Sequence, residues 1–491
     1  MAKSDTDNKF SKIMLIIVLL VGTFCTVLNQ TLLSTALPKL MSTFNVSTAT
    51  VQWLTTGFLM VNGIMIPLSA YLATTINTKW LYVSAMVIFL IGTIVAFLAP
   101  SFGVLLAARL IQAVGVGITM PLLQTIMLSL FPAESRGAAL GLVGIVVGFA
   151  PAIGPTLSGW IVDNMSWRDL FGLLIPIVLI VVILALIFMK PVIETHKQKL
   201  DWVSLVFSTV GFGALLYGFS DAGNDGWDSA GVIASLVVGV IVVILFVWRQ
   251  LVIDKPFLEL RVFKTRDFTI AAILSSIVTI AMLGVSTVLP LYLQIVHGMS
   301  ALKSGLILLP AALVMAFMSP ITGRTFDAVG GKRLAVTGLV ILTLSTLPFL
   351  WLTVDTPTSY IVILQVVRTF GISMVLMPVT TSGMNALPDH LIADGTAANN
   401  TARQIASSIG SAIMMTLLTN VTTNHQPAKH LLHAAPFQYK HDYLNATLSG
   451  YHASFMFSLV FAVIGVALAF FLKDKSRSDD VDLEQMQKDG E

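Results

Sequence analysis

The 491-residue sequence predicts an all-α integral membrane protein, in which 14 transmembrane helices form two six-helix halves plus an inserted two-helix hairpin. Three observations predict it. Hydrophobic residues make up 56% of the chain and charged residues only 11%, whereas a soluble domain carries about a quarter charged residues. Apolar windows of about 20 residues, the length that crosses a bilayer, recur fourteen times. Basic residues also alternate between connections as if sorted to one side of a membrane.

The windows begin near Ile13, Trp53, Trp80, Gly103, Ala139, Asp169, Asp201, Ala230, Phe268, Gly305, Leu334, Ser359, Thr401 and Ala453. The first, Ile13 to Leu33, follows Lys3, Lys9 and Lys12 and is too long for a signal-peptide core, so it is expected to remain as a helix. With the N-terminus in the cytoplasm, 20 Lys and Arg fall in cytoplasmic connections and tails and 5 outside. The inner set includes Lys190, Lys197 and Lys199, Arg249 through Arg266, and Arg324, Lys332 and Arg333. The outer set is Lys39, Arg168, Lys303, Lys429 and Lys440. One miscounted helix would invert every later connection and erase this asymmetry. Of the remaining cations, Arg403 is expected at the cytoplasmic start of a helix, where it can snorkel to the interface. Arg109 and Arg368 lie inside apolar windows, where arginine costs at least about 2.5 kcal/mol on insertion scales, so each is expected to face protein or a wet cavity.

Those two arginines also mark a repeat. RLIQAVGVGITMPL (109–122) and RTFGISMVLMPV (368–379) share an Arg followed by Gly or Ser and then Met-Pro. SAYLATTINTKWL (69–81) and TGRTFDAVGGKRL (322–334) form a second pair, and both pairs are separated by about 250–260 residues. The expected organisation is an N-tail (1–12), a first half (13–189), a linker (190–267) holding the hairpin at about 201–249, a second half (268–472) and a C-tail (473–491). Duplicated halves of this kind build many secondary transporters, with substrate bound near the midplane between them.

Gly323, Asp327, Gly330, Lys332 and Arg333 stand in a run that resembles the loop signature of the major facilitator superfamily. Glycines permit a tight turn there, and Asp327 with the following cations is expected to form ion pairs that latch the halves at the cytoplasmic mouth. In the first copy Thr74 replaces the acid and Asn77 the glycine, so a latch is expected to work mainly from the second half. Residues 141–159, GLVGIVVGFAPAIGPTLSG, resemble the antiporter signature of superfamily exporters, with Ser158 in place of one glycine. In that helix Gly148, Gly154 and Gly159 allow close packing, while Pro151 and Pro155 remove backbone donors and favour a bend. Leu28-Asn29-Gln30-Thr31, Leu200-Asp201-Trp202, Leu289 through Gln294 and Arg403-Gln404 resemble the fourteen-helix drug:proton antiporter family, nearest in kind to its lincomycin-resistance exporters.

The resemblance implies proton-coupled export of drugs, with Asn29, Gln30, Arg109, Gln112, Asp163 and Arg368 as candidates for transport and coupling. It also exposes a departure. The family usually places aspartate where Asn29 stands, and a carboxylate in a low-dielectric site makes a good proton carrier; Asn29 cannot titrate. Asp163, Asp169, Asp201 and Asp221 lie at expected helix ends, so no carboxylate stands clearly at mid-membrane, and Arg109 is expected to donate to carbonyls, amides or water.

Asn62, Met120, Gln124, Phe149, Tyr292, Gln294 and Met377 are candidates to line a cavity, since Met and aromatic side chains adapt to varied apolar shapes. Neutral or monocationic amphiphiles are the expected substrates. The five histidines between His425 and His452 lack compact metal-ligand spacing, and the external segment 422–452 is expected to be a solvated loop. Gly331-Lys332 is followed by Arg333, not Ser or Thr, so it is not a nucleotide-binding loop. No cofactor or metal is expected, and the single cysteine, Cys25, excludes an internal disulfide. The net charge of +3 is too small to point to nucleic acid. The expected partners are small hydrophobic or amphiphilic substrates, protons and the lipid bilayer, and the expected setting is a bacterial plasma membrane with both termini cytoplasmic. A monomer is expected, since one chain holds both halves. Export of an endogenous lipid or metabolite is the main rival. A sensor or scaffold lacks a soluble signalling domain, and a membrane enzyme lacks a cluster of nucleophile, base and metal ligands at membrane depth.

Overall fold

The computed structural model describes residues 2–33, 36–195, 199–428 and 435–473. Lys197, Lys429, His430, His433 and the tail from 474 lie outside them. Fourteen helices are long and apolar enough to cross a membrane, and no strand occurs among the described residues. They are α1 (Ala2–Leu32), α2 (Thr48–Thr75), α3 (Thr78–Phe97), α4 (Phe102–Leu130), α5 (Arg136–Asn164) and α6 (Leu174–Phe188) in the first half. The hairpin is α7 (Trp202–Asp225) and α8 (Ala230–Val252). The second half holds α9 (Arg266–Ile295), α10 (Ala301–Val329), α11 (Gly331–Thr346), α12 in two pieces (Thr358–Ser373 and Leu376–Asn385), α13 (Ile392–Asn424) and α14 (Pro436–Ala469).

Local chemistry sets several of these starts. Ser47, Asn77, Ser101, Asp201 and Ser300 each accept a hydrogen bond from a free amide in the first turn of α2, α3, α4, α7 and α10, which satisfies a donor the helix leaves open. Between α10 and α11 the chain reverses at Gly330, whose φ of 87° favours a residue without a Cβ.

The halves meet along two seams, α5 against α10 and α2 against α13. Glycines make the first seam tight. A Cβ on Gly141 would stand 2.7 Å from the Ser319 carbonyl oxygen, and one on Gly323 would collide with the Gly137 carbonyl. Hairpin helix α7 packs on both α2 and α13, so it spans the second seam from outside. Its partner α8 exposes Ile233, Val237, Ile241, Ile244 and Trp248, an apolar face suited to lipid. Trp80, Trp160, Trp202, Trp248 and Trp351 are exposed near helix ends, where amphipathic rings favour the membrane interface.

Three boundaries differ from expectation, the first being that of α1, which begins at Ala2 instead of Ile13. Helix α13 begins at Ile392 instead of Thr401 and α14 at Pro436 instead of Ala453. Asp394 through Asn400 are too polar for a hydropathy window, yet Gly395, Thr396, Asn399 and Asn400 are buried between helices and so escape lipid contact. As a result Arg403 sits well inside a helix and not at its start. His441 and His452 likewise belong to α14 and not to a solvated loop, and His452 Nε2 lies 2.8 Å from the Leu352 carbonyl.

Candidate functional site

Arg109 on α4 is fully buried. Its Nη1 donates to Gln112 Oε1 at 2.9 Å and to the Asn29 carbonyl at 3.4 Å, and its Nε to the Leu54 carbonyl at 3.4 Å. The guanidinium also stacks over the Phe58 ring, 4.1 Å from its centroid, a favourable place for a cation. Gln112 relays the network. Its oxygen also accepts from Asn29 Nδ2 at 3.2 Å, and its Nε2 donates to Thr93 Oγ1 on α3 at 2.9 Å. Asn29 Oδ1 is buried with no partner. Helices α1, α3 and α4 are thereby joined by neutral amides, a hydroxyl and one cation. Gln30, next along α1, is half-buried.

Arg368 repeats this arrangement on α12. It too is fully buried. Its Nη2 donates to the Ala281 and Met282 carbonyls on α9 at 2.8 and 3.3 Å, and its Nε lies 3.3 Å from Thr346 Oγ1 on α11. In each half, then, an arginine of the fourth helix reaches at least one main-chain carbonyl of the first and, directly or through Gln112, a hydroxyl of the third. The sequence repeat is a repeat of hydrogen bonding. Asp163, by contrast, is exposed near the end of α5 and joins neither network.

The loop signature meets the start of α5. Asp327 Oδ1 accepts from the Gly137 amide at 2.9 Å and Oδ2 from the Ala138 amide at 2.8 Å. Both amides lie in the first helical turn, where donors are unsatisfied and the helix dipole favours an anion. Across the seam, then, the carboxylate caps a helix, and among the described residues no ion pair joins it to Arg333. Lys332 and Arg333 stand in the first turn of α11, and Arg333 is exposed. Among the described residues, the ion pair that crosses the halves is Arg136 Nη2 to Asp389 Oδ1 at 2.6 Å, helped by Asn385 Nδ2 to the Ala133 carbonyl at 3.4 Å. Asp389 was missed because nothing in its local sequence marks it. In the degraded first copy, Thr74 donates only to carbonyls of its own helix and Asn77 caps α3.

In the antiporter-signature helix, a Cβ on Gly148 would run into Met315 of α10 and one on Gly154 into Thr31 of α1. Gly159 lies near Leu302, and Pro151 and Pro155 lie half-buried within the unbroken α5. Of the expected cavity residues, Asn62 and Gln124 are buried where α2 and α4 approach the second half, and Met120 and Phe149 are partly exposed. Three others fill different places. Tyr292 is fully buried, donates to the Thr353 carbonyl at 2.6 Å and packs edge-on against Tyr451. Met377 is buried against Gly144, and Gln294 bonds Ser304 at 3.2 Å at the start of α10. Their size and side-chain polarity gave no hint of which helix each would face.

The central part of the second seam holds one more cross-half bond. Asn400 Nδ2 on α13 donates to Gln124 Oε1 on α4 at 2.7 Å. One turn on, Arg403 Nε donates to Thr279 Oγ1 on α9 at 3.2 Å.

Two halves with matching arginine networks, bonded to each other at this loop, agree with what the sequence profile finds: the profile of the Major Facilitator Superfamily covers residues 19–411. The chain belongs to the Major Facilitator Superfamily. It is 48% identical to the uncharacterized MFS-type transporter YcnB of Bacillus subtilis (strain 168), over 97% of this chain and 98% of that protein. It is 38% identical to the lincomycin resistance protein LmrB of Listeria innocua, over 95% of this chain and 98% of that protein. Among solved structures, the human organic anion transporter MFSD10 superposes with a TM-score of 0.66, covering 93% of this chain and 99% of that one. At 12% identity that likeness is one of fold. As a superfamily member the chain is a multi-pass membrane transporter.

Proposed function

We propose that this chain is a secondary active exporter that moves hydrophobic or amphiphilic drugs out of a bacterial cytoplasm in exchange for protons, by alternating access of its two halves. In this reading both termini and the Asp327 latch face the cytoplasm, and the chain works as a monomer without cofactor or catalytic chemistry. The observation that carries it is the construction of the latch. Its bonds run from the second half to the first turn of α5 and to Arg136, and its acceptors lie at the rim, with the Asp389 side chain 86% exposed. Rim-exposed pairs and helix-end charges are worth about 0–1 kcal/mol each. A few such bonds hold one state closed yet leave it easy to open, as rocking halves require. The likeness to a lincomycin resistance protein supports a drug as cargo.

The test is uptake of radiolabelled lincomycin into inside-out vesicles with an acidic lumen. The reading expects accumulation above that of vesicles lacking the protein, and its loss when nigericin collapses the pH gradient. Accumulation that survives nigericin contradicts proton coupling.

A further inference from the structure

Arg403 lies eleven residues beyond the start of α13 at Ile392. At 1.5 Å per residue that is about 17 Å along the helix, near the middle of a hydrocarbon layer about 30 Å thick. No acid meets it. Among the described residues the ion pairs engage Arg136, Arg249, Arg261 and His441, and the one hydrogen bond of the Arg403 side chain is that from Nε to Thr279. Its terminal N–H groups are left for something else.

The neighbours point to what that is. Asn399 and Asn400 stand four and three residues before Arg403 and share its face of the helix. Asn400 Nδ2 also donates to the Thr396 carbonyl at 2.9 Å, a group that can only accept, so the orientation of this amide is fixed. Gln124 must therefore turn its oxygen toward Asn400. Its Nε2 is left buried without a partner, as is Asn399 Nδ2, and these two residues are 1% and 2% exposed. The open valence on Gln124 is thus a donor, beside the unpartnered amide of Asn399, and polar groups left unpaired inside a protein are costly.

The surroundings argue for a ligand and against lipid. No large apolar side chain of α13 is exposed, and helices α2, α4, α7, α9 and α14 pack around it. Arg403 and Gln404 are partly exposed, with Gln404 beside Gly63 of α2 in the first half and Arg403 beside Thr279 of α9 in the second.

We propose that Arg403, Asn399 and Gln124 form a binding site for the anionic head of an amphiphilic substrate, a carboxylate or sulfonate carried on an apolar body. A carboxylate offers up to four lone-pair sites, and a guanidinium donates to two of them side by side. Donors come from both halves, α4 and α13, as a site between rocking halves needs. This departs from the expectation of neutral or monocationic substrates: the same region that lacks carboxylates holds a cation. The inference rests on the export reading for its claim that the bound anion is cargo.

The test uses purified full-length protein in phosphatidylcholine nanodiscs. The probes are 11-(dansylamino)undecanoic acid and its methyl ester, titrated by fluorescence against protein-free discs. Wild type is expected to bind the acid at least tenfold more tightly than the ester. Arg403→Gln abolishes that preference while leaving ester binding intact, Arg403→Lys retains part of it, and Gln124→Glu weakens the acid alone. Equal binding of acid and ester by wild type, or equal weakening of both by Arg403→Gln, overturns the site. The wild-type comparison stands even if a variant folds poorly. Binding is read without a gradient, so it separates from export. Acid preference without lincomycin-driven proton flux would sink the export reading alone, and flux without acid preference would sink this site alone.

Discussion

Arg109 and Arg368 are held by carbonyls and amides in a region where a carboxylate would be the simpler partner. Arg109 reaches three separate acceptors, a geometry that a planar fork can satisfy and a lysine ammonium cannot. Arg109→Lys is therefore expected to lose roughly 1–3 kcal/mol of stability, read as a lower melting temperature in detergent; an unchanged melting temperature would show that the fork is not needed. Asn29 carries a second prediction. Its Oδ1 is unpartnered while its Nδ2 donates to Gln112, so Asn29→Asp places a titratable oxygen inside Arg109's network. The pH profile of transport should gain a titration step absent from wild type. An identical profile would mean that this position does not exchange protons in either form. The arginines were legible in the sequence, because a charge inside an apolar run stands out. Their acceptors were not, since main-chain carbonyls of distant helices leave no mark on the sequence.

The helices themselves divide the same way. Apolar length revealed fourteen spans, and small residues revealed which helix would pack closely. The early starts of α13 and α14 stayed hidden, because a polar helix shielded by neighbours has no hydropathy signature. Close packing at the α5–α10 seam makes a sharp prediction. Gly323 touches the Gly137 main chain, so Gly323→Val must push the halves apart, lower thermal stability and abolish export; a variant that still exports would show that the seam need not close here. The hairpin is pinned differently. Asp201 accepts from Arg249 Nε at 2.7 Å and Nη2 at 2.9 Å, and these bonds hold its carboxyl down at about 2, against the opposing cost of burial. A folded pKa below the ordinary 3.8 means the stabilisation is present above that value and is lost only as pH falls through about 2. The hairpin anchor is thus expected to be constant between pH 7 and 5, whereas Asp201→Asn weakens it at every pH. Thermal unfolding of both proteins across that range tests this; convergence of the two at pH 5 would contradict it.

For the molecule as a whole, the two-half architecture was readable from the repeat, but the asymmetry of the latch shows fully only in three dimensions. Thr74 bonds to its own helix, while Asp327 reaches across to α5. Removing this helix-capping charge and its two bonds, worth at least about 1 kcal/mol together, shifts a two-state equilibrium about fivefold or more. Asp327→Ala should therefore populate the cytoplasm-open state. In a protein bearing Ala133→Cys and Asn385→Cys, where the native pair is bonded across the halves, a short bismaleimide should then cross-link more slowly. An unchanged rate would show that Asp327 does not hold the closed state.

Antiport ties substrate export to proton entry, so proton movement is its direct signature. Purified protein in liposomes with an imposed pH gradient and an internal pH dye would be challenged with lincomycin and with lipophilic anions and cations. The account predicts proton flux that begins on addition of a substrate, saturates with its concentration and is absent from protein-free liposomes. Substrate that binds and crosses the membrane without moving protons would contradict it.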